Sequence, residues 1–294
     1  EGSKAPLVAK LRPTDYEAAK LQRNELTKDV TILEPPFWGT KIIDLVPIKN
    51  LLVFLNEAML YQFHWGYKKQ GRTREEFRKW ARGELKPILT RIAKQCHDEK
   101  IITSRAVYGY WKCAGDGNDV ILFEKDGMSE CARFTMPRQR GKNGLCIADF
   151  FRDIGGEKRD LIALQAVTVG PRVSEVALEW FHADKYQDYL YLHGFGVEMT
   201  EALAEYVHKR IRTELGFAAE DARDVEKLIK QGYHGARYSF GYPACPNLAD
   251  QEKLIGLLGA ERIGLTMSES DQLYPEQSTT AIVVHHPQAR YFTV

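Results

Sequence analysis

The spacing of apolar residues predicts a first helical region near the N-terminal third of the chain. Between residues 48 and 65, apolar side chains recur every three or four positions, as at Leu52, Leu55, Met59 and Phe63. This spacing places them on one face of a helix. The pattern therefore predicts an amphipathic helix over the whole segment.

A second helical region begins with an N-terminal capping signal and contains two residues that could interrupt it. Thr73 and Glu76 stand three residues apart, the arrangement of a capping box at a helix N-terminus. Gly83 is a weak helix former, and Pro87 is favoured at the first turn of a helix. We therefore expect one helix to end near Gly83 and another to run from Pro87 to Ile92.

The centre of the chain changes to a strand-like pattern. Runs at 106–111 and 119–123 flank the sequence Gly115-Asp116-Gly117-Asn118, which predicts a β-hairpin. Glycine and charged residues separate the runs that follow, which favours a mostly antiparallel sheet. These further strand-like runs lie at 131–135, 146–150 and 161–169.

The C-terminal half returns to helices and ends with strands. A proline-free stretch from Ser174 to Leu215 predicts one long helix, weakened at Gly194 and Gly196 by roughly 1 kcal/mol each relative to alanine. Strands clustered between helices, without regular βαβ alternation, predict an α+β fold. Shorter helices are predicted at 224–230 and 250–258, and strands at 265–268 and 282–285.

The N-terminal segment has a different character from the rest. Residues 1–35 are mixed and charged and are followed at once by Pro36. This composition indicates a lead-in or linker. We expect residues 36–294 to form one domain.

Composition narrows the class of protein. The chain has 294 residues, 44% of them hydrophobic, and a formal net charge of +1. This charge gives no electrostatic case for binding nucleic acid or a membrane surface. Five cysteines without a CxxC pair support neither a zinc site nor a disulfide framework. We expect no metal site, and a reducing, cytoplasmic setting.

One segment, residues 235–246, is the most informative for chemistry. It places two glycines, two prolines and three aromatic residues around a single arginine, Arg237. Proline and glycine disfavour a continuing helix, so we expect a loop whose backbone is free to meet a ligand. The planar guanidinium of Arg237 suits a carboxylate. On composition alone, a surface loop with an ion-paired arginine is the favoured interpretation.

Other candidate motifs are weaker. A nucleotide-binding glycine turn would follow a parallel strand, whereas Gly115 and Gly117 lie in a predicted hairpin, and Gly194 and Gly196 in a predicted helix. The sequence 141–144 is not followed by Lys-Ser or Lys-Thr, as a phosphate-binding loop requires. An ordinary methyltransferase with a nucleotide-binding parallel sheet is therefore disfavoured.

The loop after Arg237 resembles a known family. The run Gly-Tyr-Pro-Ala-Cys-Pro at 241–246 is similar to the signature loop of the S-adenosylmethionine-binding activation domain of cobalamin-dependent methionine synthase. The similarity extends from about Pro36 to the C-terminus. It includes residues 200–212, the run Cys-Ile-Ala-Asp-Phe at 146–150, and His-Pro followed by Tyr-Phe at 286–292.

The resemblance implies a C-shaped α+β domain of a methyltransferase, with a mostly antiparallel sheet flanked by helices. Such a domain binds S-adenosylmethionine and donates its methyl group to reduced cobalamin during reductive methylation of cob(II)alamin, as part of methionine biosynthesis. Because no Asp-x-His-x-x-Gly motif occurs here, cobalamin would be held by a neighbouring domain of the same full-length chain. A flavodoxin-like or other reductant would supply the electron, and this chain alone would not make methionine. The alternative is a non-catalytic docking module that binds S-adenosylmethionine and acts on a separate cobalamin protein.

The resemblance also implies roles for residues of the loop and the C-terminus. Arg237 matches the arginine that binds the ligand carboxylate. Ser239 and Tyr242 match loop positions that touch the ligand, and Tyr291 and Phe292 match an aromatic pair near it. No residue is expected to act as a general acid or base, because the protein's part is to position an already activated methyl group.

Two acidic residues complete the implied site. Glu201 matches a residue that faces the positive end of the ligand, although a solvated helix face is the favoured interpretation without the resemblance. An acidic residue in the first helix is also implied. Glu57 is the choice for it, with Asn56 as the alternative, and for Glu57 a solvated position is an equally good interpretation.

Overall fold

A seven-stranded sheet organises the chain. The computed structural model describes residues 26, 29–139 and 144–294. The sheet has the order β4–β3–β2–β5–β9–β6, with β1 also beside β2, and every pairing of these strands is antiparallel. The strands are β1 (Gly39–Ile43), β2 (Arg105–Asp116), β3 (Asp119–Phe123), β4 (Glu130–Thr135), β5 (Asp160–Thr168), β6 (Ala236–Ser239) and β9 (Ser278–Val284), with β7 (Thr266–Met267) and β8 (Leu273–Tyr274) forming a separate hairpin.

Helices pack on both sides of this sheet. The longest, α5, supplies the largest part of the core on its face. The helices are α1 (Ile48–Leu51), α2 (Glu57–Met59), α3 (Arg74–Asp98), α4 (Arg172–His182), α5 (Tyr186–Glu214), α6 (Val225–Ile229) and α7 (Asp250–Leu258), with short 3-10 turns at Leu52–Phe54, Ile147–Phe150, Ala218–Glu220 and Ala260–Ile263.

The two faces of the sheet build separate cores. Along β2, Tyr108 and Tyr110 enter the core shared with α3 and α5, whereas Val107 and Trp111 enter the core on the opposite face. Alternate side chains of a strand point to opposite faces, so one strand contributes to both cores. This two-sided packing leaves few polar positions on the central strands.

Several sequence predictions are confirmed. The fold is α+β with an antiparallel sheet, and the hairpin between β2 and β3 turns at Gly117 and Asn118. Thr73 and Glu76 form the predicted capping box: the Thr73 hydroxyl accepts from the Glu76 amide at 3.2 Å, and the Glu76 carboxylate accepts from the Thr73 amide at 2.8 Å. Helices α6 and α7 lie where they were predicted.

The single helix predicted for residues 48–65 is wrong. The chain leaves helical geometry at Leu55, and Asn56 starts a new turn by accepting a hydrogen bond from the Met59 amide at 3.1 Å. The following residues, Leu60–His64, form a π-helical turn. Asparagine is a preferred N-cap, and here it divides a continuous apolar pattern into short pieces.

The predicted break near Gly83 is also wrong, because α3 runs through both Gly83 and Pro87. Pro87 lacks the N–H that would pair with the carbonyl of Gly83. Both residues are exposed, so this carbonyl can bond to water instead. Buried Leu85 and Leu89 keep the apolar face continuous across the proline.

The strand predicted at 146–150 is a 3-10 turn. The Asp149 carboxylate accepts from the Cys146 amide at 2.9 Å and from two nitrogens of Arg138, at 2.6 and 2.8 Å. The apolar pattern of the segment predicts neither this buried ion pair nor the turn.

The long helix predicted from Ser174 to Leu215 is two helices. The break lies between α4 and α5, where Asp184 adopts a left-handed φ of 58°. Gly194 and Gly196 lie inside α5 and are buried. A Cβ on Gly194 would lie 2.6 Å from the Cβ of His64, and one on Gly196 would lie 2.5 Å from Cγ1 of Val173. These glycines therefore permit close packing against α5.

The lead-in falls mostly outside the described residues, which omit 1–25 and 27–28. Within the part of it that is described, the Val30 carbonyl accepts a hydrogen bond from Arg152 at 2.5 Å, and Leu33 packs against the core. The domain boundary at residue 36 stays a prediction. Across the described ranges, no helix combines the length and the apolar character needed to cross a bilayer.

Candidate functional site

The arginine singled out from the sequence lies on the edge strand of the sheet. Residues 236–239 form β6 rather than a loop, and Arg237 pairs in register with Val283 of β9. Val283 belongs to the core on the α5 side of the sheet, so Arg237 and Ser239 point toward α5. Tyr238, between them, is buried in the opposite core. The short alternating pattern was hidden by the glycines and prolines around it.

Arg237 meets the middle of α5 through an ion pair. Its Nη2 donates to Oε2 of Glu201 at 3.3 Å. The arginine side chain is 15% exposed and that of Glu201 is 40% exposed. Nη1 of Arg237 is buried and has no hydrogen-bond acceptor among the described residues. The guanidinium therefore has a donor left for a further anionic partner.

A second carboxyl lies one helical turn before Glu201. Glu198 is buried, with 4% of its surface exposed, and Oε1 lies 3.1 Å from Nε2 of His64. Burial and the neighbouring charge of Glu201 raise the pKa of Glu198 to about 8. Burial and the proximity of His193 lower the pKa of His64. Both shifts favour a neutral pair at pH 7.

Two tyrosines border these charges. Tyr242 lies in a tight turn in which the Gly241 amide donates to the Cys245 carbonyl at 2.9 Å. Its ring is half-exposed, and its pKa is raised chiefly by the nearby carboxylate of Glu201 and also by burial. Tyr291 is 37% exposed, and its amide donates to Oε1 of Gln231 at 3.1 Å. Tyr242 is close enough to Tyr291 for their charges to interact.

The structure thus brings together Glu201, Arg237, Tyr242 and Tyr291. Ser239 shares the face of β6 that carries Arg237. These five residues come from three separate parts of the sequence: α5, the strand β6 with the turn that follows it, and the C-terminal segment.

Phe292 and the first-helix candidates have other contacts. The Phe292 ring is buried against Tyr238, with ring centroids 6.0 Å apart. Glu57 forms an ion pair with Lys86 and accepts a hydrogen bond from the Tyr61 hydroxyl at 3.3 Å, while Asn56 caps α2. Their assignment to the site, including the choice between Asn56 and Glu57, stays a prediction.

A buried charge network lies on α5, after Glu201. The Arg212 guanidinium is fully buried, bonds to Glu205 at 3.1 Å and to Asp221 at 2.8 Å, and stacks on Tyr233 at 4.3 Å from the ring centroid. Burial opposes ionisation of Glu205, but His208 and the charges of Arg237 and Arg212 lower its pKa to about 2. The sequence analysis did not predict this network. The signal for it was the presence of charged residues within a helix that packs against a sheet.

A groove near β6 is separate from these residues. It has a volume of about 660 Å³ and lies between the N-terminus of α4 and the β7–β8 hairpin. Phe240, which follows β6, lines it, as do Leu248 and Tyr274. Its lining, as far as the described ranges go, contains none of the seven predicted site residues.

The charge pattern at β6 fits a particular ligand chemistry. A guanidinium can bind the carboxylate of an amino-acid group while a protein carboxylate beside it binds the ammonium. The half-exposed aromatic rings offer an adjacent surface for an apolar or aromatic part. The fold is thus an α+β domain, and its edge strand and α5 together present the charges that a zwitterionic ligand would require.

Comparison with known proteins identifies the family. Residues 60–294 match the family described as "Vitamin B12 dependent methionine synthase, activation domain". The chain therefore belongs to this activation-domain family.

Individual relatives agree with the family. The chain is 40% identical over 287 residues to methionine synthase of Mycobacterium tuberculosis strain H37Rv, covering 93% of this chain and 24% of that protein. Identity and coverage are the same for methionine synthase of Mycobacterium leprae. This chain thus spans about a quarter of the length of these relatives.

A solved structure shares the fold. The crystal structure of the MetH reactivation domain bound to AdoHcy matches with a TM-score of 0.82 over 93% of this chain and 88% of that one. Sequence identity is 21%, so for this chain the comparison shows a shared architecture.

Proposed function

We propose that this domain binds S-adenosylmethionine at the Arg237 site and donates its methyl group to reduced cobalamin during reductive methylation of cob(II)alamin, as part of methionine biosynthesis. The observation that carries the proposal is the pairing of Arg237 with Glu201, in which Nη1 of the arginine keeps a free donor. The match to the activation-domain family supports it. So does the structural neighbour, which carries AdoHcy, the demethylated form of this ligand.

The site residues suit the parts of the ligand. The carboxylate would bind Arg237, and the ammonium would lie at Glu201, so that the ligand zwitterion matches the arginine–glutamate pair. Tyr242 and Tyr291 would border the remainder of the ligand, with Ser239 beside Arg237 on the strand.

Glu57 and Phe292 belong to the proposal in outer roles. Phe292 packs on Tyr238, whose backbone joins Arg237 to Ser239, and so would hold the strand in place. Glu57, or Asn56 instead, would contribute a polar group from the α2 segment.

The chemistry asked of this chain is positional. The sulfonium of S-adenosylmethionine supplies an activated methyl group. The residues of the site bind and orient the ligand so that this methyl group faces its acceptor. A general acid or base is not needed for such a transfer, and none is assigned.

The remaining partners come from outside this chain. The relatives are about four times as long, which supports a cobalamin-binding domain elsewhere in the same full-length protein. We propose a flavodoxin-like or other electron donor as reductant and a cytoplasmic setting. The domain alone is not expected to make methionine.

Calorimetric titration tests the binding step. The 294-residue chain should bind S-adenosylmethionine and S-adenosylhomocysteine with one-to-one stoichiometry. Arg237→Ala should weaken both by roughly 1.5–3 kcal/mol, the usual value of a hydrogen bond to a charged group. Arg82→Ala, which removes an exposed arginine of α3, is the matched control and should bind as wild type. Equal binding by Arg237→Ala would contradict the site assignment, and no saturable binding at millimolar ligand would contradict the function.

A transfer assay separates donation from mere binding. The chain is mixed with the reduced cobalamin-binding region of the full-length protein and radiolabelled S-adenosylmethionine, and label is followed into cobalamin. Transfer that is lost in Arg237→Ala supports the proposal. Binding without transfer would favour a non-catalytic docking module.

A further inference from the structure

Glu198 is a buried carboxyl that the proposed ligand contacts do not use. It lies on α5 one turn before Glu201, with only 5% of its side chain exposed, and its hydrogen-bond contact is with His64 of the π-helical turn. When ionised, its carboxylate is close enough to raise the pKa of Tyr242, as that of Glu201 does more strongly. Glu198 therefore belongs to the same group of residues as the Arg237–Glu201 pair.

The spacing along α5 matches the spacing within the ligand. Three residues of an α-helix advance by roughly 4.5 Å. In an extended methionine chain, four single bonds separate the carboxylate carbon from sulfur, a distance of roughly 5 Å. A ligand whose amino-acid end is bound at Arg237 and Glu201, and whose side chain runs toward the N-terminus of α5, would thus bring its sulfur beside Glu198.

We propose that Glu198, held by His64, is the residue by which this site distinguishes the sulfonium of S-adenosylmethionine from the neutral thioether of S-adenosylhomocysteine. The inference rests on the proposed function. Ionised Glu198 would then face the positive sulfonium, which only the methyl donor carries. The product has lost this charge together with the methyl group, so it binds the site more weakly.

His64 allows Glu198 to change its charge without losing its hydrogen bond. A protonated Glu198 donates to Nε2 of His64, and an ionised Glu198 accepts from a protonated Nε2 of the other neutral tautomer. The titratable and charged groups around the pair are His193, next to His64, and Glu201, Arg237 and Tyr242 on the ligand side.

Binding should therefore be linked to a proton. Without ligand, Glu198 is mostly protonated at pH 7, since its pKa is about 8. A sulfonium favours the ionised form, so the carboxyl proton is released to the buffer on binding. Affinity for S-adenosylmethionine should rise with pH and level off above about pH 8, by up to about tenfold per pH unit. Affinity for S-adenosylhomocysteine should not follow this curve.

The wild-type chain tests this without any substitution. Dissociation constants for both ligands are measured by calorimetry at pH 6, 7 and 8, each in two buffers of different ionisation enthalpy. The expected result is proton release with S-adenosylmethionine only, and a ratio of the two constants that increases with pH. A ratio that is independent of pH, with no proton release, would overturn the inference while leaving the proposed function intact.

Variants identify the residue responsible. Glu198→Gln keeps the shape but cannot ionise, so it should weaken S-adenosylmethionine by on the order of tenfold at pH 8, change S-adenosylhomocysteine less than twofold and remove the pH dependence of the ratio. Glu84→Gln, at an exposed position of α3, is the control and should behave as wild type. A Glu198→Gln chain with the wild-type pH dependence would overturn the assignment. Failure of wild type to bind either ligand would overturn both proposals.

Discussion

Nη2 of Arg237 lies 3.3 Å from Oε2 of Glu201, and this contact joins the edge strand β6 to the middle of α5. Two residues separated by 36 positions in sequence thereby form one ion pair, whose carboxylate is 40% exposed. Partly exposed ion pairs add little to stability. The pair is therefore expected to contribute little to folding, which agrees with the ligand-binding role proposed for it.

Glu201→Gln should separate these two roles. We expect a change in unfolding free energy within about 1 kcal/mol, because the pair is partly exposed, but clearly weaker binding of S-adenosylmethionine and S-adenosylhomocysteine, whose ammonium loses a charged partner. Urea unfolding and calorimetry measure the two effects. 5′-Methylthioadenosine has no amino-acid group, so its binding should be the same in the variant and in wild type. A large loss of stability with unchanged ligand affinity would make the pair structural.

The glycines of α5 and α3 should respond oppositely to alanine. Gly194→Ala would place a Cβ 2.6 Å from the His64 Cβ, so we expect a loss of about 1–3 kcal/mol from overpacking. Gly83→Ala meets no heavy atom within 4 Å and should stabilise α3 by about 0.5–1 kcal/mol. Chemical denaturation of both variants measures the difference. Equal effects would show that close packing at His64 does not explain Gly194.

Removing Arg212 should be far more damaging than removing a surface arginine. Arg212→Ala leaves Glu205 and Asp221 buried without their cation, which should cost about 3–5 kcal/mol. Arg91→Ala breaks an exposed pair with Asp188 and should cost at most about 1 kcal/mol. Denaturant titration at neutral pH compares them, and a small effect of Arg212→Ala would contradict the description of this network as structural.

Glu198 should make stability fall as pH rises. Its pKa of about 8 in the folded chain exceeds the usual 4.5, so the folded state binds the proton more tightly. The resulting stabilisation is fully present below pH 4.5 and is lost between pH 4.5 and 8, by up to about 1.4 kcal/mol per pH unit. The difference in unfolding free energy between wild type and Glu198→Gln, measured from pH 5 to 8, should show this slope. A constant difference would place the pKa of Glu198 near its ordinary value.

The sequence predicted much of the secondary structure because local patterns control it. The capping box at Thr73, the hairpin at Gly117 and Asn118, and the helix at 250–258 depend on neighbouring residues alone. Predictions failed where distant residues decide the outcome. At 146–150, buried Asp149 pairs with Arg138, which lies outside the segment, and the apolar pattern of the segment does not predict that contact.

The same division applies to the site. The sequence itself determined the α+β class and the family resemblance, because these depend on residue order along the chain. Through that resemblance it predicted Arg237, Glu201, Tyr242 and Tyr291 as site residues. Only the tertiary structure decided that Arg237 lies in a strand facing α5, and that buried Glu198 meets His64 from 134 positions away. Burial and the proximity of charges arise from tertiary packing. The raised pKa of Glu198 therefore could not be predicted from the sequence.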